Sequence, residues 1–122
     1  MLYKLRNKWW GFRNRCQRFL RGYAWADVWD LDFWFIDTVE PMLRHLQKNG
    51  IGIPNGYSEE GWKERLDQMA DHLHLMGEWN VVSEVFDGDY SDVEKVHSIM
   101  NEHKEKFFEM FSKDFYNLWD WD

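Results

Sequence analysis

The sequence contains one cysteine and no long apolar run, and each shortage excludes a class of protein. A single thiol, Cys16, cannot form a disulfide within the chain, so a disulfide-stapled secreted domain is excluded and a reducing compartment is favoured. Four arginines between positions 13 and 21 interrupt any apolar segment after the basic start. This pattern predicts neither a signal peptide nor a membrane-spanning helix. We therefore expect a cytoplasmic protein.

Motifs of common catalytic and cofactor sites are also missing. No nucleophile elbow, P-loop or dinucleotide fingerprint is present. The five histidines have no zinc-type spacing with cysteine. Two pairs, Asp71 with His74 and Glu94 with His97, resemble halves of a di-iron carboxylate site, but the first pair points away from the apolar face of its helix. We therefore predict a protein without enzymatic activity, cofactor or metal.

Aromatic side chains are abundant, with nine Trp, nine Phe and five Tyr in 122 residues. This content is too high for a disordered chain, and the length is typical of one domain. Apolar residues recur at helical spacing, and the alternation typical of strands is absent. We predict a single all-α domain over residues 1–122, built as a four-helix bundle whose helices begin near residues 2, 27, 58 and 92.

The charge of the chain is divided unevenly. Residues 1–21 carry seven of the fifteen Lys and Arg residues and none of the 22 Asp and Glu residues. The formal charge is therefore +7 for this basic arm and −14 for the acidic body, residues 22–122. Because the arm repeats apolar groups at helical spacing, we predict an amphipathic basic helix that docks on the body. Binding of nucleic acid or of a membrane surface through the arm is the alternative.

Two predicted helices place a charge on their apolar side. A helical wheel puts Asp32 near the middle of the apolar arc of the second helix, and it puts Lys104 in the same position on the last helix, with His97 at its flank. An unpaired ionised group in a core is strongly destabilising. We predict a buried polar network of these three residues. Alternatively, small rotations of the helices let the charges reach solvent.

The apolar register of the predicted third helix changes at Gly77. Before this residue one face carries Trp62, Leu66, Met69 and Leu73, whereas Trp79, Val82 and Phe86 form a different face after it. The sequence predicts a bend at Gly77 or, alternatively, an exposed stripe of Trp79, Val82 and Phe86 that binds a partner.

Several motifs have a counterpart in a known group of proteins. The motifs are Arg-Gly-Tyr-Ala at 21–24, Asp-Val-Trp-Asp-Leu-Asp at 27–32, Gly-Ile-Pro at 52–54, Glu-Gly-Trp at 60–62 and the aromatic Leu-Trp-Asp end at 118–120. In these motifs the chain resembles small bacteriophage proteins of uncharacterised function. The resemblance implies a viral protein expressed in the cytoplasm of a bacterial host, and it carries no activity with it.

The predicted function is binding of a host or phage macromolecule, for example to block a defence or nucleic-acid-handling protein. An acidic body can occupy a basic groove as DNA does, with association steered by charge. The residues predicted to contact such a protein partner are Asp30, Asp37, Glu40, Trp79, Val82, Phe86, Asp87 and Asp89.

The alternative function is sequestration of a small ligand such as a nucleotide signal. Arginines would hold its phosphate, and aromatic rings would stack on its base. The residues predicted for this site are Arg18, Arg21, Tyr23, Trp25, Trp29 and Asp32. Formation of a homo-oligomer through an aromatic face is compatible with either function.

Overall fold

The computed structural model describes residues 2–23, 28 and 30–119, with side chains from Arg6 onward. Five α-helices and no strand occur in this part of the chain, so the all-α prediction is confirmed. A four-helix bundle is not confirmed, because the predicted third helix is two helices. The elements are α1 (Leu2–Arg21), α2 (Leu31–Asn49), α3 (Glu59–His74), α4 (Glu78–Val85), α5 (Val93–Asp114) and a 3-10 helix (Phe115–Asn117).

The chain separates into two compact units, Met1–Phe35 and Ile36–Asp122. The first unit contains α1 and the first turn of α2, and the second contains the remainder of α2 and the later helices. The boundary between the two units therefore does not coincide with the boundary between the basic arm and the acidic body, which lies earlier, after residue 21. The second unit has 19 acidic and 8 basic residues and therefore a formal charge of −11. The organisation as a single domain stays a prediction.

The first unit contains the predicted basic amphipathic helix. Helix α1 has no acidic residue in its first turn and ends with Arg18 and Arg21 in its last turn, where cations are favoured by the helix dipole. Apolar side chains of α1, among them Phe12 and Phe19, are exposed. Among the described residues, no helix is long and apolar enough to cross a bilayer.

The core of the second unit lies where α3 and α4 pack against α5. Helix α3 buries the face that its spacing predicts, and each large side chain on it gains about 1.5 to 3 kcal/mol from burial. Val81 and Val82 of α4 pack with Val96 of α5 in a smaller cluster. The buried residues of α3 are Trp62, Leu66, Met69, Ala70 and Leu73.

Side chains at the start of two helices accept hydrogen bonds from the backbone. Ser58 caps α3, where its Oγ accepts from the Gly61 N–H at 3.0 Å. Asp92 caps α5, where its Oδ1 accepts from the Lys95 N–H at 3.1 Å. Each cap satisfies a donor that the first helical turn leaves open and contributes about 1 kcal/mol.

The predicted bend at Gly77 is present, since α3 ends at His74 and α4 begins at Glu78. A Cβ atom at Gly77 would lie 2.8 Å from Asn80 Nδ2 and 3.3 Å from the His74 carbonyl oxygen, so a larger residue in this turn would displace the Asn80 side chain. The bend turns Val82 into the core, where it is 3% exposed, and Phe86 packs against it. The alternative prediction of an exposed stripe of Trp79, Val82 and Phe86 is therefore wrong.

The buried side of α5 is rotated by about 50° from the side that the sequence predicted. The prediction centred the apolar arc near Phe111, which placed Lys104 inside it. In the structure Lys104 and His97 are exposed, and Asp32 on α2 is exposed as well. The predicted buried network of Asp32, Lys104 and His97 is therefore wrong. The buried residues of α5 are Val96, Phe107, Met110 and Asp114.

Asp32 is exposed because of where α2 begins. The helix begins at Leu31, so Asp32 lies in its first turn, where open backbone N–H groups and the helix dipole favour a carboxylate. The prediction started this helix several residues earlier. The buried side chains of α2 come later in the helix, at Ile36 and Leu43.

Candidate partner-binding groove

The second unit contains an open apolar groove between α2 and the C-terminal end of α5, with a volume of about 830 Å³. We call it the α2/α5 groove. Its walls are almost entirely apolar, with Thr38 and His45 as the polar side chains among them. It is lined by Thr38, Val39, Pro41, Met42, Leu43, His45, Leu46, Phe111, Phe115, Leu118 and Trp119.

The rotation of α5 produces one wall of this groove. Because Phe107 occupies the core, Phe111 and Phe115 face the groove, although the sequence predicted both in the core. The rings form a ladder, with Phe107 and Phe111 stacked at 5.0 Å between centroids and Phe111 and Phe115 in a T-shaped contact at 5.4 Å. Such contacts hold the wall in place at low cost in conformational freedom.

Several groove side chains lie on the surface and not in the core. Met42 is 60% exposed, Phe115 51% and Trp119 44%. A monomeric protein gains nothing from presenting adjacent large apolar groups to water, and such patches are typical of interaction sites. The groove is therefore the strongest candidate for a binding surface in the second unit.

A buried ion pair anchors the chain at the end of α5 that carries this wall. Asp114 is 2% exposed, and its carboxylate accepts hydrogen bonds from Arg65 Nε at 2.7 Å and from Tyr57 Oη at 2.9 Å. Burial and the bond to this carboxylate raise the pKa of Tyr57. The sequence indicated that Asp114 is buried, because it lies four residues after Met110 and seven after Phe107 and therefore on the same face of α5.

A second polar cluster joins α2, α3 and α4. His74 Nδ1 donates to Glu40 Oε1 at 2.8 Å, and His74 Nε2 donates to Glu84 Oε2. Burial opposes the charge of His74, but the hydrogen bonds to both carboxylates outweigh it and raise the pKa of His74. Both ring nitrogens face carboxylate oxygens, which can only accept, so this geometry favours the imidazolium, in which both nitrogens donate.

Arg44 extends this cluster along α2. Its guanidinium donates from Nη1 to Asp67 at 2.7 Å and from Nη2 to Asp71 at 2.8 Å, both on α3. Asp71 and His74, the pair that resembled half of a di-iron site, thus have different protein partners. Within the described part of the chain, no three His, Cys, Asp or Glu side chains are grouped to hold a metal ion.

Two histidines pair between α3 and α5. His72 Nδ1 and His103 Nδ1 are 2.9 Å apart, a distance that requires one nitrogen to donate and the other to accept. Burial and the neighbouring charge of His103 lower the pKa of His72. His72 and His74 are therefore shifted in opposite directions, although only one residue separates them.

The predicted partner-binding residues have different environments. Glu40 is partly buried and bound to His74, and Val82 is in the core. Trp79 is 65% exposed and packs beside Tyr90, with 5.5 Å between ring centroids. The other predicted carboxylates are exposed, Asp37 on α2 and Asp30, Asp87 and Asp89 in the connections between helices.

The predicted ligand-binding residues are only partly described. Trp25 and Trp29 lie outside the described residues. Arg21 donates from Nε to the Tyr23 carbonyl at 3.1 Å and stacks on the Tyr23 ring at 4.7 Å, while Arg18 is exposed. Nucleotide binding at these residues stays a prediction.

Sequence reasoning missed the groove residues, although one signal was present. Phe108, Phe111 and Phe115 follow one another at spacings of three and four, which is more aromatic surface than a single buried stripe needs. Phe108 and Phe115 are 45% and 51% exposed.

Comparison with known proteins gives no independent guide to the groove. No protein-family model, curated protein or solved structure matches this chain.

Proposed function

We propose that this chain is a non-enzymatic bacteriophage protein that binds a protein partner in the bacterial cytoplasm through the α2/α5 groove. The observation that carries the proposal is the groove itself, an apolar cleft of about 830 Å³ with exposed Met42, Phe115 and Trp119. Hot spots of protein interfaces are apolar and aromatic pockets of this kind, surrounded by polar groups. The viral origin rests on the sequence resemblance.

The formal charge of the unit that carries the groove favours particular partners. At −11, residues 36–122 repel nucleic acid and attract basic proteins, whose association is accelerated by electrostatic steering. An apolar segment flanked by Lys or Arg residues therefore fits the groove and its surroundings best. Blocking of a nucleic-acid-handling host protein agrees with this charge.

The test places a photo-crosslinking amino acid, p-benzoylphenylalanine, at Met42 of the full chain expressed in the bacterial host. The expected result is a covalent adduct with a host or phage protein that disappears when Phe115→Asp is added. A matched control carries the crosslinker at Ser83, an exposed residue of α4. Equal adducts from both positions, or an adduct that survives Phe115→Asp, would remove the groove from consideration.

A further inference from the structure

A second apolar surface lies on α1, in the first unit. Five apolar side chains among the described residues of this helix are exposed, and four of them form the surface, with Trp9 at 62%, Phe12 at 53%, Phe19 at 89% and Leu20 at 80%; the fifth, Trp10, lies to one side. At 100° per residue the four fall within one arc of about 100°, together with Cys16. A helix of twenty residues thus presents a continuous apolar stripe.

Cations border this stripe on both sides. On the helical wheel Arg6 and Arg13 lie along one border, and Lys8 and Arg15 lie along the other. Long basic side chains at such borders can lay their methylene groups on an apolar layer and extend their charges into a polar one. No acidic residue occurs in residues 1–21, so nothing on α1 repels an anionic surface.

We propose that α1 binds the surface of an anionic lipid bilayer, with its axis parallel to the membrane plane. The apolar stripe enters the boundary between headgroups and acyl chains, and the flanking cations meet lipid phosphates. Nucleic acid fits this helix less well, because phosphate-backbone contacts use cations and leave a continuous Trp, Phe and Leu stripe in water. This use of α1 does not depend on the proposed groove function.

The charge arrangement sets the expected size of the effect. Each Lys or Arg near an anionic leaflet contributes about fivefold to the membrane partition coefficient, and the contribution falls within a Debye length. Replacing Lys8 and Arg15 by Glu is therefore expected to lower partitioning by more than about twentyfold. Substitution of the apolar stripe should remove the remaining part of the membrane partitioning, which does not depend on salt.

The test is flotation of the full chain with vesicles of equal parts phosphatidylglycerol and phosphatidylcholine, and with vesicles of phosphatidylcholine alone. Binding is expected to the anionic vesicles only. The double substitution Phe12→Asp and Phe19→Asp should abolish it, while helix content measured by circular dichroism reports folding. The matched control is Phe115→Asp, because Phe115 is as exposed as Phe12 but lies outside α1.

Three results would overturn the proposal. The first is failure of the wild-type chain to float with anionic vesicles at low salt. The second is equal loss of flotation for Phe115→Asp and for the α1 variant. The third is tighter binding to a DNA or RNA oligonucleotide than to the vesicles, which would assign the basic helix to nucleic acid.

Discussion

His74 is held by two carboxylates, and its protonation state decides how strongly it joins three helices. The pKa of His74 is raised in the folded chain, so the folded state binds the proton more tightly than the unfolded state. The stabilisation is complete below the ordinary histidine pKa of about 6.5 and is lost as the pH rises through the higher folded value.

We expect His74→Gln to reduce the free energy of unfolding by about 1 kcal/mol in mildly acidic solution, and by less in alkaline solution. Urea unfolding at several pH values measures the difference. His45→Gln is the control, because His45 is exposed on α2 and contacts neither carboxylate. A cost of His74→Gln that is the same at every pH would contradict the assignment.

Asp114 is the buried charged side chain among the described residues of the second unit, and its partner Arg65 should be essential for stability. Arg65→Met leaves the carboxylate buried without its cation, and we expect a loss of about 3 kcal/mol. Tyr57→Phe removes one hydrogen bond and should cost about 1 kcal/mol. Thermal unfolding compares both variants with Tyr116→Phe, whose ring is 89% exposed and should be neutral. Equal stability of all three would be incompatible with a buried ion pair.

At the scale of elements, the two aromatic faces of α5 have different roles. Phe107 is fully buried, whereas Phe115 is 51% exposed in the groove. Phe107→Ala is therefore expected to cost about 3 to 5 kcal/mol through cavity formation, and Phe115→Ala about 1 kcal/mol or less. Chemical denaturation of the two variants measures this contrast. If Phe115→Ala is the more destabilising change, the rotation of α5 described above is incorrect.

The same contrast shows how far the sequence determines the elements. The buried face of helix α3 was predictable from Trp62 to Leu73, because it is a single stripe of apolar side chains, although Met76, which the spacing also placed on it, lies beyond the end of the helix. Helix α5 was not, because aromatic residues cover more of its circumference than one core contact can bury. Spacing alone cannot choose between the Phe107 side and the Phe111 side, and only packing against α3 and α4 decides. The groove follows from that choice.

The error over Asp32 has a different cause. The helical wheel gives the direction of a side chain but not the distance to the end of its helix. Asp32 lies on the apolar side of α2, yet it is in the first turn and therefore meets solvent. Asp114 also lies at a helix end, the C-terminal end of α5, but it is buried because Tyr57 and Arg65 from other segments cover it. Tertiary neighbours, which spacing does not report, separate the two cases.

At the scale of the whole molecule, repulsion between equally charged copies opposes self-association through the exposed apolar surfaces. The chain carries −7 at pH 7 and has an isoelectric point near 5.2. Near that pH the repulsion between copies vanishes, and we expect reversible self-association through the α2/α5 groove. Light scattering at pH 7 and near pH 5.2 should detect it, and Phe115→Asp should reduce it. Unchanged association of Phe115→Asp would point to another surface.

The position of Glu40 links the groove to the pH of the solution. Glu40 holds the His74 proton, and its neighbours in sequence, Val39 and Pro41, line the groove. Proton binding at His74 and partner binding in the groove therefore act on the same segment of α2. Two binding equilibria coupled in this way change each other's affinity reciprocally. Occupation of the groove should release or take up a fraction of a proton. Titration calorimetry in buffers of different ionisation enthalpy would register it as a change of the observed binding heat with the ionisation enthalpy of the buffer.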